Sequence, residues 1–387
     1  MAHAPRCLIY CPMPYSGHGW PETCVNVVAN FHTVDLQPVL VTPRARKSAP
    51  PSIDVVEAIP FPISRIPWRY IRGISNGFMD RRFRNLVDKS DPKRTVAYFW
   101  PGTPPALVEY ARSAGIVSVR EMINTFQGMA KRILDDAYDR WEFPRTHSIT
   151  DAGIEGERQE LKLYDHVFAP NPEVERSLLE VGIDRRRILP TSYGWVPDRF
   201  RNLAPSFSSG GQFFKAIFAG FICVRKGVPE LLDAWEESCI DGELVLVGDV
   251  EPVLQPRLAR ATQTSRVRHI PYTDDIGSSY RDADVFVFPT LEEGGPQVTL
   301  EAGGCGLPAI VTPMGAGRLV KDGVNGLVVR AGDVSGLVTA LRRMANEPGL
   351  RASFARQIAQ DAQQFTYERV SASRGASLVR LLRSREQ

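Results

Sequence analysis

The stretch "DVFVFPTLEEGGPQVTLEAGGCGLPAIVT", residues 284 to 312, contains a complete strand, helix and strand in a short span. "DVFVFPT" (284–290) and "PAIVT" (308–312) are apolar runs rich in β-branched and aromatic residues and bounded by proline, so they read as buried strands. A helix is expected between them, running through Glu301 with Pro296 at its first helical position, where a missing N–H costs nothing. Such a unit belongs to a parallel α/β sheet.

The same alternation extends in both directions. "CLIYC" (7–11), "PVLVTP" (38–43), "TVAYFW" (95–100) and "GIVSVRE" (115–121) read as strands, with helical stretches at 22–34 and 104–114. The pattern resumes with "FKAIFAG" (214–220), a helix from Pro229 and "ELVLVGD" (243–249). Between the halves, "WVPDRFRNLAPSFSSGGQ" (195–212) is rich in Pro, Ser and Gly and reads as a connector. We therefore expect two Rossmann-like, doubly wound domains at 1–195 and 213–365, a linker at 196–212, and an amphipathic C-terminal helix at 366–387. Two such domains face each other across a cleft outside the carboxyl ends of their strands, where ligands bind in open sheets.

With 47 Lys plus Arg against 44 Asp plus Glu in 387 residues, the formal charge is +3, which points away from nucleic acid and towards a small, local anion. Six cysteines without a paired or metal-type spacing fit a reduced, cytoplasmic protein. No run of about 18 apolar residues suggests a membrane span, so the expectation is a soluble chain or one attached at the inner face of a membrane.

"SGHGWPE" (16–22) and "GAGRLV" (315–320) lack the third glycine of a dinucleotide loop, and "GFICVRKG" (220–227) lacks the G-K-[ST] of a Walker loop. In the opening stretch, Thr290 and Glu293 imitate a capping box, but Gly294, Gly295 and Pro296 make a poor first turn. With Pro296 at the helix start, the Gln297 and Val298 amides and the positive end of the helix favour an anion. Glu301 then shares a face with Gln297 and can accept hydrogen bonds from a diol, while Glu293 meets the other end of the ligand. A phosphate flanked by hydroxyls describes a nucleotide sugar, and the glycine pair would allow close backbone approach. In "GFICVRKGVPELLDAW" (220–235), Arg225 and Lys226 precede a helix and suit a diphosphate clamp; solvated surface charge is the plain alternative.

"EGGPQVTLEA", "CGLPAIVT", "DGVNGLVV" (322–329), "RKGVPELLDAW" and "DADVFVFPT", with "DHVFAPNPEVERSLLEVGI" (165–183), together resemble a retaining glycosyltransferase of family 4 with the GT-B fold. The resemblance is strong from about 165 to 370 and weak before 160. It implies that Glu293 contacts the transferred sugar and Glu301 the ribose. It also implies that Arg225 and Lys226 hold the diphosphate with the Gln297 and Val298 amides, and that the loop at Gly17 and Gly19 closes over the phosphate. The C-terminal helix would return to the N-terminal domain. The implied activity is transfer of a hexosyl unit from a nucleoside-diphosphate sugar, UDP-hexose first and GDP-mannose second, to a hydroxyl in glycan, glycolipid or small-molecule glycoside synthesis, with no metal or other cofactor. An epimerase or hydrolase of the same fold, or a non-catalytic nucleotide-sugar binder, are the competing readings.

The chain departs from the pattern at several positions. Pro296 donates no N–H, Phe221 stands where many members have Arg after the strand glycine, and Arg318 replaces a frequent Glu. No histidine lies between His32 and His147, although the family often has one beside the sugar. His18, Glu121 and Asn124 are the acceptor-side substitutes, with an exposed histidine of no role as the alternative for His18. "DAD" (282–284) precedes its strand, which puts it at the end of the sheet opposite the cleft, so a metal site is not expected. Residues 64–94 interleave basic and aromatic side chains, fitting either a solvated helix pair or contact with anionic lipid.

Overall fold

The computed structural model describes residues 4–200, 213–264, 266–273 and 275–385. Of the expected linker, residues 201–212 lie outside the described residues. Seven parallel strands form the first sheet: β1 (Arg6–Tyr10), β2 (Gln37–Thr42), β3 (Asp54–Glu57), β4 (Thr95–Phe99), β5 (Val117–Glu121), β6 (His166–Ala169) and β7 (Ile188–Pro190), in the order β3-β2-β1-β4-β5-β6-β7. Six more form the second: β8 (Phe214–Ala219), β9 (Gly242–Val247), β10 (Val267–Ile270), β11 (Val285–Phe288), β12 (Ala309–Val311) and β13 (Gly326–Val328), in the order β10-β9-β8-β11-β12-β13. Helices cover both sheets, as the near-continuous apolar strands require.

The strand order reverses between β1 and β4 in one sheet and between β8 and β11 in the other. These are the switch points where connections leave to opposite sides and a crevice opens at the carboxyl ends. The glycine loop at 17–19, Trp100, residues 123–125, the turn carrying Arg225 and the loop carrying Glu293 follow those four strands or the neighbouring β5.

The C-terminal helix Tyr367–Arg383 does return to the first domain, lying on the helix Gly19–Val28 and the turn Phe31–Val34. Gly375 lets it approach, since a Cβ there would stand 2.8 Å from the Val34 side chain. At its centre, buried Arg374 bonds Glu121 at 2.7 Å and the Tyr98 hydroxyl at 3.0 Å. The chain thus crosses between domains twice, and the crossings pair: the Trp195 amide donates to Phe365 O and the Tyr367 amide to Trp195 O, both at 3.0 Å.

One expectation needs correction. The basic, aromatic stretch is not a helix pair but one helix, Trp68–Asp88, with Ile71, Ser75, Met79, Phe83 and Val87 buried along a four-residue stripe. Phe83, one of the interleaved aromatics, is therefore core. Arg318 pairs with Glu175 and donates to Thr191 O at 2.6 Å, tying the second domain to the first. Asp282 and Asp284 sit before β11, at the end of the sheet away from the cleft, where Lys215 bonds Asp282 at 2.8 Å.

Candidate active site

Two cavities lie between the domains. The larger, of about 820 Å³, is lined from the first domain by Gly17, His18, Gly19, Trp20, Asn26 and Trp100, and from the second by Glu293, Gly295, Gln297, Val298 and Glu301. Gly17 and Gly19 have φ of +89° and +66°, so the loop after β1 uses backbone that only glycine adopts without strain. His18 is exposed between them and makes no capping bond. Trp20 and Trp100, which the sequence reading passed over, stack at 5.8 Å in this wall.

The opposite wall is the start of the helix Gln297–Gly304. Pro296, with φ −76° and ψ +76°, forms a tight turn in which the Gln297 amide donates to Gly295 O at 2.9 Å. Pro296 is therefore the residue before the helix, not its first, and one of the two expected anion donors is turned back on the loop. The Val298 amide has no acceptor among the described residues and remains the donor at the helix start. The Gln297 side chain bridges the domains, donating to Thr23 Oγ1 at 3.2 Å and accepting from the Tyr367 hydroxyl at 2.6 Å.

The glycine pair serves a purpose other than the expected one. A Cβ on Gly294 would stand 1.8 Å from Ile123 O, and one on Gly295 2.2 Å from the Tyr193 ring. Both glycines admit the first domain, and Gly295 also lines the larger cavity.

Arg225 and Lys226 end the short turn after β8 and reach different carboxylates. Lys226 pairs with Glu293, whose other oxygen accepts from the Gly294 amide at 3.0 Å. Arg225 faces the second cavity, of about 520 Å³, and bonds Glu292 at 2.6 Å and Asn124 Oδ1 at 2.8 Å. Burial works against its charge, but Glu292 and Glu293 together hold the guanidinium above its ordinary value. Glu292 also accepts from the Thr125 amide and hydroxyl, at 3.0 and 2.7 Å. Only the doubled acid of "EEGGP" hinted at it. Asn124, expected on the acceptor side, thus orients Arg225.

Glu121 is corrected more strongly. Its carboxylate is fully buried and occupied by Arg374 and by the Tyr98 hydroxyl at 2.5 Å, so it anchors the returning helix and offers no oxygen to an acceptor. Glu301 lines the large cleft as expected, but Arg199 reaches it at 3.2 Å. Burial raises its carboxyl above the usual range, with Arg199 opposing. Arg199 lies in the connector, where nothing in the local pattern marked it.

A helix-start amide and two carboxylates on one wall, with Lys226 paired to one of them, can receive an anion flanked by hydroxyls. Residues 214–347 match the family model described as "Glycosyl transferases group 1". This match lies within the second domain. Similarity over part of the chain also appears in the capsular polysaccharide biosynthesis glycosyltransferase CapM of Staphylococcus aureus, 30% identical over 35% of this chain and 37% of that protein. The chain spans less than half the length of the curated relatives it matches. Over the whole chain, the GT-B fold is that of sucrose-phosphate synthase from Thermosynechococcus elongatus, with TM-score 0.73 and 16% identity, covering 98% of this chain and 100% of that one. The fold is likewise that of Anabaena HepE in complex with UDP and glucose, with TM-score 0.64 and 14% identity, covering 97% and 99%.

Proposed function

We propose that this protein is a group 1 glycosyltransferase that moves a hexosyl unit from a nucleoside-diphosphate sugar to a hydroxyl, keeping the anomeric configuration and using no metal. The observation that carries the reading is the 820 Å³ cleft, where Glu293, Val298 and Glu301 face the glycine loop at Gly17 and Gly19. In this reading the ribose lies at Glu301, the diphosphate at the Val298 amide and Lys226, and the sugar at Glu293. The leaving diphosphate takes the proton of the incoming hydroxyl on the same face, and Lys226 and the helix start offset the charge that develops on it. UDP-hexose is the first donor and GDP-mannose the second, a ranking in keeping with the UDP and glucose held by HepE. The product is a glycan, glycolipid or small glycoside.

A thermal-shift screen over UDP, GDP and ADP sugars tests the donor, because a ligand that binds the folded form raises the melting temperature. The expected result is stabilisation by one nucleotide class, with release of its diphosphate on turnover and an unchanged anomeric configuration by NMR. Stabilisation by no nucleotide sugar sinks the proposal.

A further inference from the structure

The 520 Å³ cavity lies beside the donor cleft. Ile123 lines both, and the Gly294 backbone packs on it, so this contact forms the partition between them. The walls of the smaller cavity include Asn124, Gln127, Thr146, His147 and Ser148 from the first domain, and Phe221, Arg225, Glu251 and Glu292 from the second. Its volume falls in the ~300–1,000 Å³ range of small-molecule sites.

Two features define what fits. Phe221 is 50% exposed at the end of β8, a large apolar side chain left in the wall of a cavity. Aromatic faces so placed receive the C–H face of a ring. The second feature is charge. Among the described residues of this wall, each cation already has a carboxylate: Arg120 has Glu157 and Glu160, Arg225 has Glu292, and His147 has Asp135 at 2.8 Å. Glu251 has no cationic partner; it accepts from the Tyr138 and Thr146 hydroxyls at 2.5 Å and the Val224 amide at 2.9 Å. A phosphate entering here meets a surplus carboxylate and cations that each already have a carboxylate, whereas hydroxyls find the polar side chains of Gln127 and Ser148.

We infer that this cavity takes the acceptor, and that the acceptor is an uncharged hydroxylated ring, a sugar or cyclitol, seated on Phe221. Phe221 is then a specificity-determining residue, an apolar ring in the wall where an anionic acceptor would need a cation. The inference rests on the proposed transfer. The bond formed joins the ring hydroxyl oxygen to the anomeric carbon, the bond broken is that carbon to diphosphate oxygen, and the hydroxyl proton leaves on the diphosphate.

Saturation-transfer NMR with methyl glucoside, methyl mannoside and myo-inositol, each against its monophosphate and in the presence of nucleoside diphosphate, tests the class. The neutral rings are expected to bind through their C–H protons at least tenfold tighter than the phosphates. Phe221→Ala is expected to weaken neutral binding about tenfold, the scale of one lost aromatic contact, and Phe221→Arg to narrow the gap to the phosphates. Equal or tighter binding of the phosphates, no binding of any neutral ring, or unchanged binding in Phe221→Ala overturns the inference. Slow release of nucleoside diphosphate from donor to water is read in parallel: its presence leaves the donor reading standing when the acceptor result fails, and its absence as well as that of donor stabilisation marks the failure of the donor reading instead.

Discussion

Lys226 and Glu293 illustrate how the site handles charge before any substrate arrives. Each neutralises the other, and on the proposed reading a diphosphate draws Lys226 away from a carboxylate that then stays to meet the sugar. Lys226→Ala is expected to cost ~2–4 kcal/mol of transition-state stabilisation, the range for one preorganised donor, read from kcat/KM. Glu301 supplies a pH test. Burial raises its carboxyl above the ordinary 4.5, against the pull of Arg199. The folded protein therefore binds this proton more tightly than the unfolded chain does, and the group's contribution to stability is full below the unfolded value and lost as pH rises through the folded one. Glu301→Gln should melt above the wild type at pH 7 and converge with it in acid, while binding the donor more weakly; a constant difference across pH contradicts this. At this scale the spacing put Glu293, Val298 and Glu301 together, and they share one wall of the larger cavity. The sequence hid Glu292, Arg199 and the inward turn of Glu121, because their partners come from segments far away in the chain.

The helix Gln297–Gly304 and the loop before it carry most of the proposed donor site. The strand and helix were legible from the apolar runs and Pro296, to within one residue at the start. The purpose of the glycines was not, since local pattern says that backbone approaches something but not what. Gly294→Ala forces Ile123 and Asn124 away from the loop. A displacement of this kind is expected to lower kcat/KM by about 100-fold, with the secondary structure unchanged by circular dichroism. The returning helix makes a different prediction. Arg374→Met leaves Glu121 charged and buried without its partner, a loss of about 3–5 kcal/mol in urea denaturation. The helix Trp68–Asp88 leaves Tyr70 and Ile74 exposed amid Arg65, Arg69 and Arg72. Among the described residues no helix is long and apolar enough to cross a membrane. Contact at the surface of anionic lipid is proposed instead, through this helix: flotation with anionic vesicles that weakens as salt rises is expected, and no flotation at low salt removes the idea.

The architecture of two parallel sheets was readable because buried strands are apolar on both faces, which leaves a clear mark in a single sequence. The partition of the space between the domains was not. It depends on Ile123 meeting Gly294, on Asn124 reaching Arg225 and on Arg318 reaching Glu175, contacts that no periodicity encodes. One feature of the connection limits how that space can change. The two passages of chain from one domain to the other run side by side, joined through Trp195, Phe365 and Tyr367. A single tether would let the halves swivel; a laced pair behaves like the spine of a book, free to open and shut about one line while resisting twist, so that substrates enter along the fore-edge and the same residues meet again at every closing.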